Sequence, residues 1–347
     1  MHRCNRASLI LAIVLAVTPA WARERLQRLP ASRLDVIPPE ERVRGEPGEM
    51  VVYQPACRIG PTANARRRIV DITVQEWGVF GFQIVDAASV ERRLLPSGVI
   101  MEALNPNVAP HVARGLPRQG IDEGAGEVVA TIGGYWSATP DGRAALAQQN
   151  RAWNGPGRNA VNWIQPWSAA FISWVMCETG LGTLEQFQRD VSHRVYVDQA
   201  IRARDGGEPI AAFVAYDAGE VPIVPGDLLC NGRGSAEYRS LADRRPDMGM
   251  FAPTHCDIVV RVDEAAMRFM VIGGNINQSV TLTILPAMRQ GTRELRPVDE
   301  ANLNGARTVF AHLKLRAEPI ETYALENTPT IRSLTEPGLT ERLIRDE

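Results

Sequence analysis

Ser168, His255 and Asn275 are the side chains of this 347-residue chain whose types and settings could perform acyl transfer. Ser168 lies in Pro166-Trp167-Ser168-Ala169-Ala170-Phe171-Ile172-Ser173-Trp174, which reads as the mouth of a buried helix. Free backbone N–H groups and the positive end of the helix dipole would there favour negative charge developing on an attacking oxygen. His255 opens an apolar, strand-like run after Pro253-Thr254, and Asn275 follows Gly273-Gly274 at the end of the next run. A nucleophile, a base and a polar group that orients the base form the minimum set for this chemistry. Asn275 can hold the second imidazole nitrogen of His255 if their strands are neighbours, and the turn at Asp263-Glu264 favours that. Capping is the competing reading of Ser168, because serine is among the preferred N-cap residues. Asp257 shares a strand face with His255 and could supply a carboxylate, although same-face neighbours on a strand more often lie side by side without bonding. His193, after Ser192 at a helix break, is a second candidate histidine, with a helix-end role as its alternative.

The elements that must position these groups are legible from periodicity. Ile69, Ile72, Val74, Trp77, Val79, Phe80 and Ile84 suit an amphipathic helix over 68–86, which Gly78 and Gly81 weaken. A second helix is expected over 124–137, and the segment after Trp167 is so apolar that its helix should be central. Gly180 is its stop signal. Residues 184–203 give one or two helices with a break at Ser192-His193. Beyond Pro222 the period becomes strand-like: 226–230, 255–262, 269–272, 280–285 and 309–315 read as strands. Helices first and an antiparallel meander afterwards make an α+β fold.

Bulk properties narrow the function. A net charge of -2 argues against a nucleic-acid partner. Met1-His2-Arg3-Cys4-Asn5-Arg6, the apolar run Leu9 to Val17 and Ala20-Trp21-Ala22 fit a secretory signal peptide over 1–22, and no later segment is long enough to span a membrane. The mature chain is then expected in the periplasm or outside the cell. Cys57, Cys177, Cys230 and Cys256 remain after removal of the signal, an even set in an oxidising compartment that allows three pairings. Cys230 and Cys256 flank neighbouring strand-like runs and favour a bridge there, which leaves Cys57 with Cys177. The spacing offers no zinc site, and neither metal nor cofactor is expected. Residues 23–65, rich in Arg, Pro and Glu, read as an extended arm or linker, 66–317 as the α+β domain, and 318–347 as a flexible tail.

The order Trp167-Ser168-Ala169-Ala170-Phe171, Pro225-Gly226-Asp227-Leu228-Leu229, His255 opening a strand, and Gly273-Gly274-Asn275 before Val280 resembles the papain-like cell-wall hydrolase superfamily of CHAP and NlpC type. The likeness spans roughly residues 68–315 and is nearest to an uncharacterised bacterial family that keeps serine where most relatives have cysteine. It implies a papain-like fold with N-terminal helices packed on an antiparallel sheet, Ser168 at the nucleophile position, His255 as general base and Asn275 as its orienting partner. Asp227 takes a structural position. Peptidoglycan or cell-wall peptides would be the partner, and an amidase or endopeptidase activity the function. The serine departs from the usual pattern. A thiol with a pKa of about 8.5 becomes a thiolate readily beside a histidine, whereas an alcohol must lose its proton as it attacks. Serine hydrolases usually place a carboxylate behind the histidine. A neutral Asn there points toward low activity or toward a non-catalytic wall-binding or protein-binding module that has lost the thiol.

Overall fold

A computed structural model describes residues 26–60, 62–87, 120–156, 162–289, 291, 294–298 and 308–334. The expected signal peptide over 1–22 lies outside the described residues. The fold is α+β, with helices packed on a mostly antiparallel sheet. Among the described residues there are five longer helices: α1 (Ala65–Val79), α2 (Gly126–Ser137), α3 (Gly142–Trp153), α4 (Ser168–Glu178) and α5 (His193–Arg204). Short helices α6 (Leu241–Arg244) and α7 (Pro329–Ser333) follow.

The strands are β1 (Val43–Arg44), β2 (Val51–Val52), β3 (Gln83–Asp86), β4 (Phe213–Tyr216), β5 (Leu228–Gly232), β6 (Thr254–Asp263), β7 (Arg268–Ile276), β8 (Ser279–Met288), β9 (Arg296–Pro297) and β10 (Val309–Leu315). β1 and β2 form a small ribbon of their own. The main sheet runs β3-β8-β7-β6-β5-β10-β4, with β9 beside β8 and β3 parallel to β8. Alternation along the strands sorts their side chains. Cys256, Ile258 and Val260 join the large core under the helices, whereas Val259, Phe269 and Val271 form a smaller apolar cluster, which Val262 joins after the register shift between Val259 and Arg261.

Every residue of α4 is buried, as its apolar sequence requires, and it packs on β6, β7, α1 and α2. Gly180 ends it with φ at 102°, a left-handed conformation open to glycine without a Cβ penalty. The helix expected over 68–86 stops at Val79 instead. Gly81 and Phe82 take positive φ and turn the chain into β3, so Ile84 serves a strand. Helix α3 and strand β4 were absent from the periodicity reading. Of the stretch 184–203, only the part from His193 onward is helical.

Asp227 is a structural hub. Its Oδ1 accepts from Arg66 at 2.7 Å and from the Leu315 N–H at 3.1 Å, and its Oδ2 pairs with His312 at 2.8 Å. Burial opposes its charge, but the His312 hydrogen bond and charge, then Arg66, hold the carboxyl below the usual range. The disulfides are Cys230–Cys256, across the β5–β6 register pair, and Cys57–Cys177, between the N-terminal arm and α4. Both suit an oxidising compartment. No helix among the described residues is long and apolar enough to cross a membrane.

The arm is folded onto the body. Leu34, Val36, Val43, Met50 and Val52 belong to the large core, and Arg42 is fully buried against Glu178. At the other end, Ala324, Leu325 and Ile331 of the segment expected as a tail are buried in that core too.

Candidate functional site

Ser168 is the first residue of α4, and the cap position belongs to Trp167 with no side-chain cap bond. Its hydroxyl is therefore not spent on capping. Ser168 Oγ instead lies 2.7 Å from Nε2 of His193, the first residue of α5. Two helix N-termini thus meet at this hydroxyl–imidazole pair, each offering unpaired backbone N–H groups. Tyr196, three residues along the same face of α5, hydrogen-bonds His193 Nδ1 through its phenol. Ser168 and His193 are each 3 % exposed, and Tyr196 is 1 % exposed.

His255 stands beside this trio. Its ring centroid is 5.0 Å from that of His193, and its Nε2 pairs with Asp257 Oδ1 at 2.6 Å. Gly273 on β7 makes room for that pair: a Cβ there would fall 1.9 Å from Asp257 Oδ1 and 3.0 Å from His255 Nε2. Burial, then the charges of His255 and Arg233, push His193 well below the ordinary histidine range. His193 is therefore neutral near pH 7, the state a general base needs.

Asn275 is placed differently from the expected relay. It sits near the end of β7, where the register with β8 shifts and its φ is 58°, and Nδ2 donates to Glu123 Oε2 at 2.7 Å. The same oxygen accepts from Trp167 Nε1 at 2.7 Å, and Oε1 accepts from the Trp163 N–H at 3.3 Å. The structure thus joins Ser168 to His193, His255 to Asp257, and Asn275 to Glu123. The sequence-level expectation of an Asn275–His255 bond is corrected by this geometry, because the Asn275 amide nitrogen is turned to Glu123 and the carboxylate on His255 is Asp257.

Two functional candidates escaped the sequence reading. Tyr196 could have been found from the i, i+3 spacing to His193 once a helix start at Ser192 was accepted. Glu123 sits in a loop-rich stretch before α2 and carries no motif. What the arrangement can do chemically is transfer a proton from a hydroxyl to an imidazole beside helix-terminal N–H donors suited to an oxyanion.

The chain matches the model of a family described as "Uncharacterized protein conserved in bacteria (DUF2272)" over residues 126–315, more than half of its length. No curated protein and no solved structure matches it. The matched span holds Ser168, His193, Tyr196, His255, Asp257 and Asn275, together with α4, α5, β6 and β7, which carry them. The chain belongs to this bacterial family.

Proposed function

We propose that the protein is an exported, papain-like domain that acts on the bacterial cell wall as an amide hydrolase working through Ser168. The observation that carries this reading is the Ser168 Oγ–His193 Nε2 contact of 2.7 Å where two helices begin. In the productive tautomer His193 Nδ1–H donates to the Tyr196 oxygen, leaving Nε2 to accept the serine proton. As Oγ bonds to the carbonyl carbon, that proton moves to Nε2 and negative charge gathers on the carbonyl oxygen. The free N–H groups at the start of α4 favour that charge. Collapse breaks the C–N bond, the imidazolium returns its proton to the departing amine, and water then hydrolyses the acyl-serine by the same route. His193 takes the role of base in this scheme, and the His255–Asp257 pair stands next to it. The two disulfides support export, and the sequence likeness to papain-like wall hydrolases supports the substrate class.

Release of new amines from muropeptides by the wild-type chain, lost in Ser168→Ala, is the expected result. Equal release by both would remove Ser168 from the mechanism. A second reading, a wall-binding module without turnover, is favoured by a specific feature. His193 is backed by a phenol rather than a carboxylate and lies within reach of the His255 charge, so its imidazolium is costly. Muropeptide affinity unchanged in Ser168→Ala, with no amine release by either protein, would select that reading.

A further inference from the structure

We propose that Glu123 is the positioning residue of this site: its carboxylate clamps Trp167, the neighbour of Ser168, to the end of β7 and so fixes the serine. The inference rests on the reading of Ser168 as the reacting group.

Glu123 is 4 % exposed and ties together segments far apart in the chain. Its carboxylate accepts from Trp167 Nε1, Asn275 Nδ2 and the Trp163 N–H, while its own N–H donates to the Gln278 carbonyl at 2.7 Å. The loop before α2, the lead into α4 and the end of β7 with its turn therefore converge on one residue. Asn275 at the end of β7 and Asn277 and Gln278 in the turn after it have φ values of 58°, 49° and 63°, a left-handed conformation that asparagine adopts readily and glutamine less so.

The strand leading into this turn also presses on the serine's helix. A Cβ on Gly274 would fall 2.7 Å from Phe171 Cβ and 2.9 Å from Trp167 Cζ3, so only glycine permits the approach. Trp167 itself has no exposed surface and stacks on Phe80 and Tyr135 at centroid distances of 5.7 and 5.8 Å. Its indole N–H is satisfied by Glu123. Removing the carboxylate leaves three donors to be re-paired in a buried site, and any rotation of Trp167 is passed to the next residue, Ser168. Burial raises the Glu123 carboxyl, the bonds from Trp167, Trp163 and Asn275 oppose that shift, and Asp122 adds to it.

The test uses the full chain carrying Ser168→Cys, whose thiol reports site geometry through its rate of alkylation by iodoacetamide. Glu123→Gln and Glu123→Asp are added to it separately, and the Trp167 indole N–H resonance reports whether the clamp is engaged and the chain folded. Glu123→Gln is expected to shift that resonance and to slow alkylation by about tenfold or more, the scale of a small misplacement of reacting groups. Glu123→Asp should recover part of both. If the resonance moves while the alkylation rate stays constant, the positioning role is overturned and the serine reading stands. If the Ser168→Cys thiol does not react even with Glu123 intact, the serine reading fails and this inference fails with it. Should Glu123→Gln unfold the chain, Glu123→Asp alone decides: an unaltered rate with a shifted resonance refutes the clamp.

Discussion

A histidine with hydroxyls on both ring nitrogens, buried and beside a second histidine, carries charge poorly. His193 is in that position, and the start of α5 adds a dipole that also opposes a positive charge. Its folded-state pKa lies below the unfolded value of about 6.5, so the unfolded chain binds more protons in the interval between them. The stability this group contributes is complete above about pH 6.5 and is lost as the pH falls through that interval. Urea midpoints of the wild type should decline on acidification more steeply than those of His193→Gln; parallel declines would show that His193 does not titrate as described. At this scale the sequence was half legible. Ser168 was marked by its apolar, helix-opening context, and Asp257 by sharing a strand face with His255. The pairing of Ser168 with His193 rather than His255 was not, because it depends on where α5 begins relative to α4, a tertiary fact. Glu123 left no trace in local pattern, since its partners lie 40, 44 and 152 residues away.

Among the elements, α4 and the β6–β8 meander were readable because their burial writes a strong pattern, wholly apolar in the helix and strand-like in the sheet. The end of α1 was not. A periodic run from Ile69 to Ile84 conceals a helix that stops at Val79 and a strand beginning at Gln83, separated by two left-handed residues. Within α1, Asp71 is a polar residue on a buried face. It is 8 % exposed, its Oδ1 is without a hydrogen-bond partner among the described residues, and burial raises its pKa to about 6 against the pull of Arg67 and Arg68. An acid with a raised folded pKa loses stability as the pH rises from its unfolded value of about 3.9 to the folded one, and the cost is complete above that. Asp71→Asn should therefore stabilise the chain by about 1–3 kcal/mol near neutral pH, with the gain vanishing in acid. Denaturant titrations at both pH values check this, and a loss of stability near neutrality would mean that the charge is better paired than its surroundings indicate.

For the molecule as a whole, the arm is the part least visible in the sequence. Its apolar residues are scattered without period, as in a linker, yet Leu34, Val36, Val43 and Met50 reach the core and Arg42 bonds the Glu178 carboxylate at the far end of α4. Cys57–Cys177 fastens the same junction across 120 residues, whereas Cys230–Cys256 closes only 26. Chain-entropy scaling then makes loss of the longer closure more costly by about 1 kcal/mol. Replacing Cys57 and Cys177 with serine should lower the unfolding midpoint more than replacing Cys230 and Cys256. The reverse order would place the weight on the sheet rather than on the arm. Since the arm grips the end of α4 opposite Ser168, its loss should loosen the helix that carries the serine.

The central claim is that Ser168 and His193 form a working nucleophile–base pair. The most direct measurement is reaction of the intact protein with a fluorophosphonate, the adduct being located by mass spectrometry in wild type, His193→Ala and His255→Ala. A single adduct on Ser168 is expected in the wild type, lost in His193→Ala and retained in His255→Ala. No adduct on Ser168 in the wild type, or one equally abundant in His193→Ala, would contradict the account.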